Sequence, residues 1–243
     1  MPAMYEAASQ NYREVEKALT QLERSITSAL RRNDESSVEA LARLQLLLTS
    51  VKAEARLTKI AYTPKGFALS ERAAVLAEKG SLERWKMAVD TAFRRHYRVP
   101  AASSLSSTLD HDTLAKHSTI HSLMANELKL AISLRNKLAH GQWIFPFNTA
   151  LSAVEPSIMG ALNAETTLTI RFRDRLLTQL GNIVVDLVVS APSFEARFNE
   201  YFVHIRRYKR LLADEDYTRW VATVRATRVA LVRVTPIATP TNL

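Results

Sequence analysis

Residues Leu134 to Trp143 read L-R-N-K-L-A-H-G-Q-W, the end of a helical pattern closed by a glycine. Upstream, Ile120, Met124, Leu128 and Ala131 recur at steps of three and four, and Leu138 continues the row. That spacing puts apolar side chains on one face of a helix. The helix is expected to start at Asp110 or Asp112 and to stop at Gly141, since glycine readily adopts the left-handed conformation that terminates helices. Asn136 and His140, four apart, share a face. Arg135 and His140 are five apart, about 140° round a regular helix, and would not share a face in mid-helix. The stop at Gly141 places His140 in the last turn, where the chain bends and a long arginine is expected to reach the same volume.

Before this helix, the stripe Tyr5, Ala8, Tyr12, Val15, Leu19, Leu22, Ile26 and Leu30 predicts a helix from about Ala3 to Arg31. Asn33 to Ser37 breaks it. A second helix over Val38 to Tyr62 follows, with Leu41, Leu44, Leu48, Val51 and Ala55 as its apolar stripe, widened by Leu46 and Leu47. A turn this short makes the two an antiparallel pair. A short helix ending at Gly80 and another from about Leu82 to Tyr97 come next. In the latter, Trp85, Val89 and Phe93 at spacing four read as core. Pro100 to Thr108 reads as a flexible loop.

After the glycine stop, Ile144 to Phe147 forms an apolar turn or a short strand, and Pro156 and Gly160 mark irregular structure. Thr166 to Phe172 is β-branched, but a helix over about Thr169 to Ser190 is preferred, with Phe172, Leu176, Leu180, Ile183 and Leu187 inward. Helices over Phe194 to Ala213 and Asp214 to Val234 follow, then a mobile tail. Arg206, Arg207, Lys209, Arg210, Arg219, Arg225, Arg228 and Arg233 make these last two helices basic.

Composition bounds the function. The 243 residues carry 33 Lys+Arg against 24 Asp+Glu, a formal charge of +9 that suits a polyanion. With 5 glycines and 8 prolines, a β-protein built from many tight turns is excluded. With 0 cysteines, no thiolate metal site and no disulfide can form. His117 and His121 stand at i, i+4, a spacing able to hold a metal, yet with Asp112 or His111 as neighbours the set is incomplete. No metal or cofactor is expected. The first residues lack the pattern of a signal peptide and no run is apolar enough to span a membrane, so the expected location is the cytoplasm.

Arg135, four intervening residues and His140, with Asn136 after the arginine, resemble the R-x4-H motif of the HEPN family of all-helical domains, which includes many metal-independent ribonucleases. Glu54-Ala55-Arg56-Leu57, followed by a helix bearing Trp85, is similar to the same family. The resemblance covers roughly the first two-thirds of the chain. It implies an all-α fold, a HEPN-like bundle of long antiparallel helices over residues 1–148. Residues 149–234 are then a C-terminal helical extension packed on that core, and 235–243 a tail. It also implies RNA cleavage by 2′-hydroxyl attack in a cleft between two chains, with Arg135 as phosphate clamp, His140 as acid/base and Asn136 orienting the imidazole or holding a phosphate oxygen. The implied partners are RNA, a second copy of the chain and a regulatory or antitoxin protein, in toxin or antiviral systems. Glu54 is expected near His140. The alternative within the family is a non-catalytic scaffold or a nucleotide-binding or interaction module.

Overall fold

Apolar periodicity sets nearly every element of the computed structural model. It describes residues 2–214 and 216–233, with side chains left out at 2 and 228–233. The protein is all-α: among the described residues no strand forms, and one isolated antiparallel bridge joins Phe147 to Val154. No described helix is long and apolar enough to cross a membrane.

Helix α1 (Pro2–Arg31) buries Ala8, Tyr12, Leu19, Ile26 and Leu30 from its expected stripe. It turns through Asn33, at φ 58°, into α2 (Glu35–Ala61). Asp34 caps α2 by accepting from the Ser37 amide at 3.0 Å. The face that α2 buries differs from the expected one. Leu44 is exposed, whereas Ala42, Leu46, Ala53, Leu57 and Ile60 are buried. Helix α2 meets α1, the motif helix and the later helix Thr167–Val189, so leucine spacing alone does not single out one inward face.

Next come α3 (Leu69–Ala77), α4 (Ser81–His96) and the single turn α5 (Leu105–Thr108), which lies within the expected loop. The long motif helix is α6 (His111–Leu123), a π turn (Met124–Leu128) and α7 (Lys129–Ala139) in continuous succession. Asp110 caps it, accepting from the Asp112 and Thr113 amides at 3.0 Å. Ile120, Met124, Leu128, Ala131 and Leu138 are all buried, as the spacing requires.

Pro156 and Gly160, expected in irregular structure, belong to a helix, α8 (Pro156–Ala164). Proline suits the first helical turn, where its missing N–H is not needed, and Leu162 buries this helix against Leu134 and Leu138. Helix α9 (Thr167–Val189) begins at the cap Thr166, and α10 (Ala191–Asp214) and α11 (Tyr217–Arg233) follow. In α9 it is Arg173, not Phe172, that turns fully inward. The tail lies outside the described residues.

Residues on both sides of position 148 share one hydrophobic cluster. Leu57 and Ile60 of α2, Trp85 and Phe93 of α4, Met124 and Leu128 of the π turn, Leu180 and Val184 of α9 and Phe194 of α10 all meet in it. Each such side chain contributes about 1.5–3 kcal/mol by leaving water. Polar links then fix α2 on α9. Lys52 donates to Asp174 at 2.6 Å, and Arg56 donates to Asn182 at 2.7 Å and to the Tyr12 hydroxyl oxygen at 3.1 Å. Gly181 leaves room for Arg56, since a Cβ there would lie 3.2 Å from the arginine Cγ.

Candidate active site at the end of the motif helix

The glycine stop forms as its residues demand. Gly141 sits at φ 76° and donates to the Leu138 carbonyl at 3.1 Å, and Gln142 donates to the Lys137 carbonyl at 2.9 Å. This pair of bonds is the Schellman arrangement that satisfies the last carbonyls of a helix. Trp143 adds a third bond, from its indole Nε1 to the Leu138 carbonyl at 3.0 Å. His140 is therefore the exposed residue at which α7 ends, with φ −93° and ψ 17°.

The loop from Gly141 to Glu155 folds back over this end. The Phe147 amide donates to Gln142 Oε1 at 2.7 Å and the Glu155 amide to the Pro146 carbonyl at 2.8 Å. Lys137 donates to the Phe147 carbonyl and pairs with Glu155 at 2.9 Å. Between loop and helix opens a cleft of about 1210 Å³, lined among others by Asn136, Lys137, His140, Gln142, Phe147 and Glu155. Ile144, Phe145 and Leu151 are exposed on the loop.

Asn136 and His140 thus share one cleft, one turn apart. Arg135 does not line it. Its Nη2 donates to Glu54 on α2 instead, and its Nε is buried with no hydrogen-bond partner among the described residues. Burial also presses this guanidinium below its ordinary pKa. The expected meeting of Arg135 with His140 does not occur within one chain, and Glu54 sits against the arginine rather than the histidine. A glycine stop bends the chain after His140, while Arg135 is still within regular helix and keeps its own azimuth. Lys137, Gln142 and Glu155 were not singled out from sequence. The first two lie inside the quoted stretch, but only the folded loop brings Glu155 to them.

Other concave regions occur among the described residues. A cavity of about 790 Å³ lies beneath α11, lined by Leu30, Val38, Arg43, Tyr217, Val221 and Arg225. Its arginines serve the fold: Arg43 donates to the Leu162 carbonyl and Arg225 to the Leu30 carbonyl at 3.2 Å. A groove of about 710 Å³ is lined by Arg24, Arg31, Arg32 and Arg171.

His117 and His121 on α6 do not gather Asp112 or His111. His111 pairs with Asp112 in the open at 3.5 Å. Both inner histidines face Asp90 of α4, whose Oδ1 lies 2.8 Å from His117 Nε2 and 2.7 Å from His121 Nε2. Burial pushes the Asp90 carboxyl up, but the two imidazoles' hydrogen bonds and charge outweigh it and hold the carboxyl below its usual range. Asp90 lies 27 residues before His117, so no local spacing announces it.

Compared with known proteins, the chain matches no family model, no curated sequence and no solved structure.

Proposed function

We propose that the protein is a metal-independent endoribonuclease of HEPN type that acts as a homodimer, an effector suited to toxin or antiviral systems. The observation that carries this reading is the exposed last turn of α7, where Asn136 and His140 face an open cleft beside Lys137. RNA brings its own nucleophile, the 2′-hydroxyl, and needs only proton transfer and stabilisation of charge on the phosphate. An imidazole on the surface can exchange protons with it. The products would be a 2′,3′-cyclic phosphate and a free 5′-hydroxyl.

Arg135 stands outside this cleft, so the clamp on the phosphate comes from a second chain. Two-fold pairing brings each arginine to the other chain's histidine, and the exposed Ile144, Phe145 and Leu151 beside the cleft give such a pairing an apolar surface. Glu54 engages Nη2 alone, and a guanidinium has five N–H donors, so Arg135 keeps donors for a phosphate oxygen. Exposed Arg206, Arg207 and Arg210 on α10, and the arginine-lined groove, supply non-specific attraction for a polyanion.

A second reading has one observation in its favour. Arg135 is already paired with Glu54, as in a helical scaffold whose motif has become structural. Incubation of the purified protein with total RNA in EDTA separates the two. Cleavage to 2′,3′-cyclic phosphate ends, by a species of dimer mass in light scattering, supports the ribonuclease. Intact RNA supports the scaffold.

A further inference from the structure

Asp90, His117 and His121 form a cluster that the ribonuclease reading does not use. Their ligand-capable atoms all lie within 4.8 Å of one another. The two imidazoles come from successive turns of α6 and the carboxylate from α4, so two helices converge on one point. The rings lie 4.3 Å apart, and His117 is held edge-on against Phe93, which is fully buried, at 4.9 Å. Both Nε2 atoms, rather than the Nδ1 atoms, point at the same carboxylate oxygen.

We propose that Asp90, His117 and His121 bind one divalent transition-metal ion, with zinc the best match to the donor set. Two imidazole nitrogens and one carboxylate oxygen suit zinc, and three protein ligands leave its fourth position for water. Side-chain exposures of 36% for Asp90, 16% for His117 and 27% for His121 leave that position reachable from solvent. Zinc holds such ligands at about 2.0–2.2 Å, which puts tetrahedral neighbours roughly 3.3 Å apart. The carboxylate needs to retreat by only about 0.5 Å from each imidazole to admit the ion, a movement open to a partly exposed aspartate. The imidazoles then give up their Nε2 protons or shift them to Nδ1, so binding weakens as the solution is acidified.

The site is separate from the α7 cleft. Asn136, the nearest of the cleft residues named on this helix, lies about 22 Å beyond His121, at ~1.5 Å of rise per residue. An ion here would tie α4 to α6 immediately before the π turn, and the inference does not depend on RNA cleavage.

The test is calorimetric titration of Zn²⁺ into the full chain, stripped with EDTA and dialysed free of it, with Co²⁺ as a spectroscopic probe. One ion per chain is expected, with the visible absorption of four-coordinate cobalt. Loss of a mere hydrogen-bond partner of a metal ligand typically costs ~10–100-fold in affinity, so loss of a ligand should cost about 100-fold or more. His121→Ala is expected to show that loss, and so is Asp90→Asn, which keeps the side chain's shape and an acceptor for the imidazoles. His111→Ala, whose imidazole stands in the open beside Asp112, should bind as the wild type does. Absence of saturable binding in the wild type, or unchanged affinity in a folded Asp90→Asn or His121→Ala variant, overturns the proposal.

Discussion

Replacing Arg173 by methionine probes the link between the motif helix and α9. Arg173 is 7% exposed, and its guanidinium reaches two carboxylates. Nε and Nη2 donate to Glu165 at 3.1 and 2.5 Å, and Nη1 donates to Glu127 at 2.5 Å. The Glu165 and Glu127 side chains are themselves only 5% and 17% exposed. Methionine fills much of the arginine's volume but leaves the largely buried Glu127 and Glu165 side chains without their ion-pair partner. Breaking a buried ion pair from one side costs about 3–5 kcal/mol, a large share of a typical total stability of about 5–15 kcal/mol. Substituting all three residues by methionine removes the stranded charges, and such replacements are often neutral or stabilising. Urea unfolding followed by circular dichroism should therefore show a much lower midpoint for Arg173→Met than for the triple variant. A loss below about 1 kcal/mol in the single variant, or equal losses in both, would refute the reasoning.

Gly141→Ala should cost about 1–2 kcal/mol, because φ 76° strains any residue with a Cβ although nothing crowds the position. Thermal unfolding measures that loss. Leu134→Ala should cost about 2–5 kcal/mol, since this side chain is fully buried against Leu46, Leu138 and Leu162, and urea unfolding checks it. Stability should also fall in mild acid. Burial, helped by the charge of Arg95, lowers the pKa of His96 in the folded chain despite its bond to the Leu187 backbone and the nearby Glu71. The unfolded chain then binds the proton first, so stability is full above the ordinary value of about 6.5 and declines as pH falls through it toward the folded value. Unfolding midpoints on either side of that range should converge in His96→Gln, and an undiminished pH dependence in that variant would assign the effect elsewhere.

The helical fold was legible where one apolar face meets one neighbour. The row from Ile120 to Leu138 and the stripe of α1 are of this kind, and the Gly141 stop follows from a local backbone requirement. Helix α2 was less legible because it is covered on several sides, so that Leu46 is fully buried and Leu44 exposed. Pro156 reads in sequence as a mark of irregular structure, yet its place in the first turn of α8 makes it a helix starter. In the candidate site, Asn136 and His140 share a face because helix geometry fixes residues four apart. The partners of Arg135 and of the His117–His121 pair come from other helices. Glu54 and Asp90 lie 81 and 27 residues away, and no periodicity in a single helix encodes such distances.

The most direct test of the ribonuclease proposal is the rate of RNA cleavage in EDTA by the wild type and by His140→Ala, both shown to be folded by circular dichroism. If His140 moves protons at the scissile phosphate, its loss should slow cleavage by about 10²–10⁴-fold, while RNA binding, carried by the other cations of this +9 chain, changes little. Cleavage by His140→Ala at the wild-type rate would contradict the account.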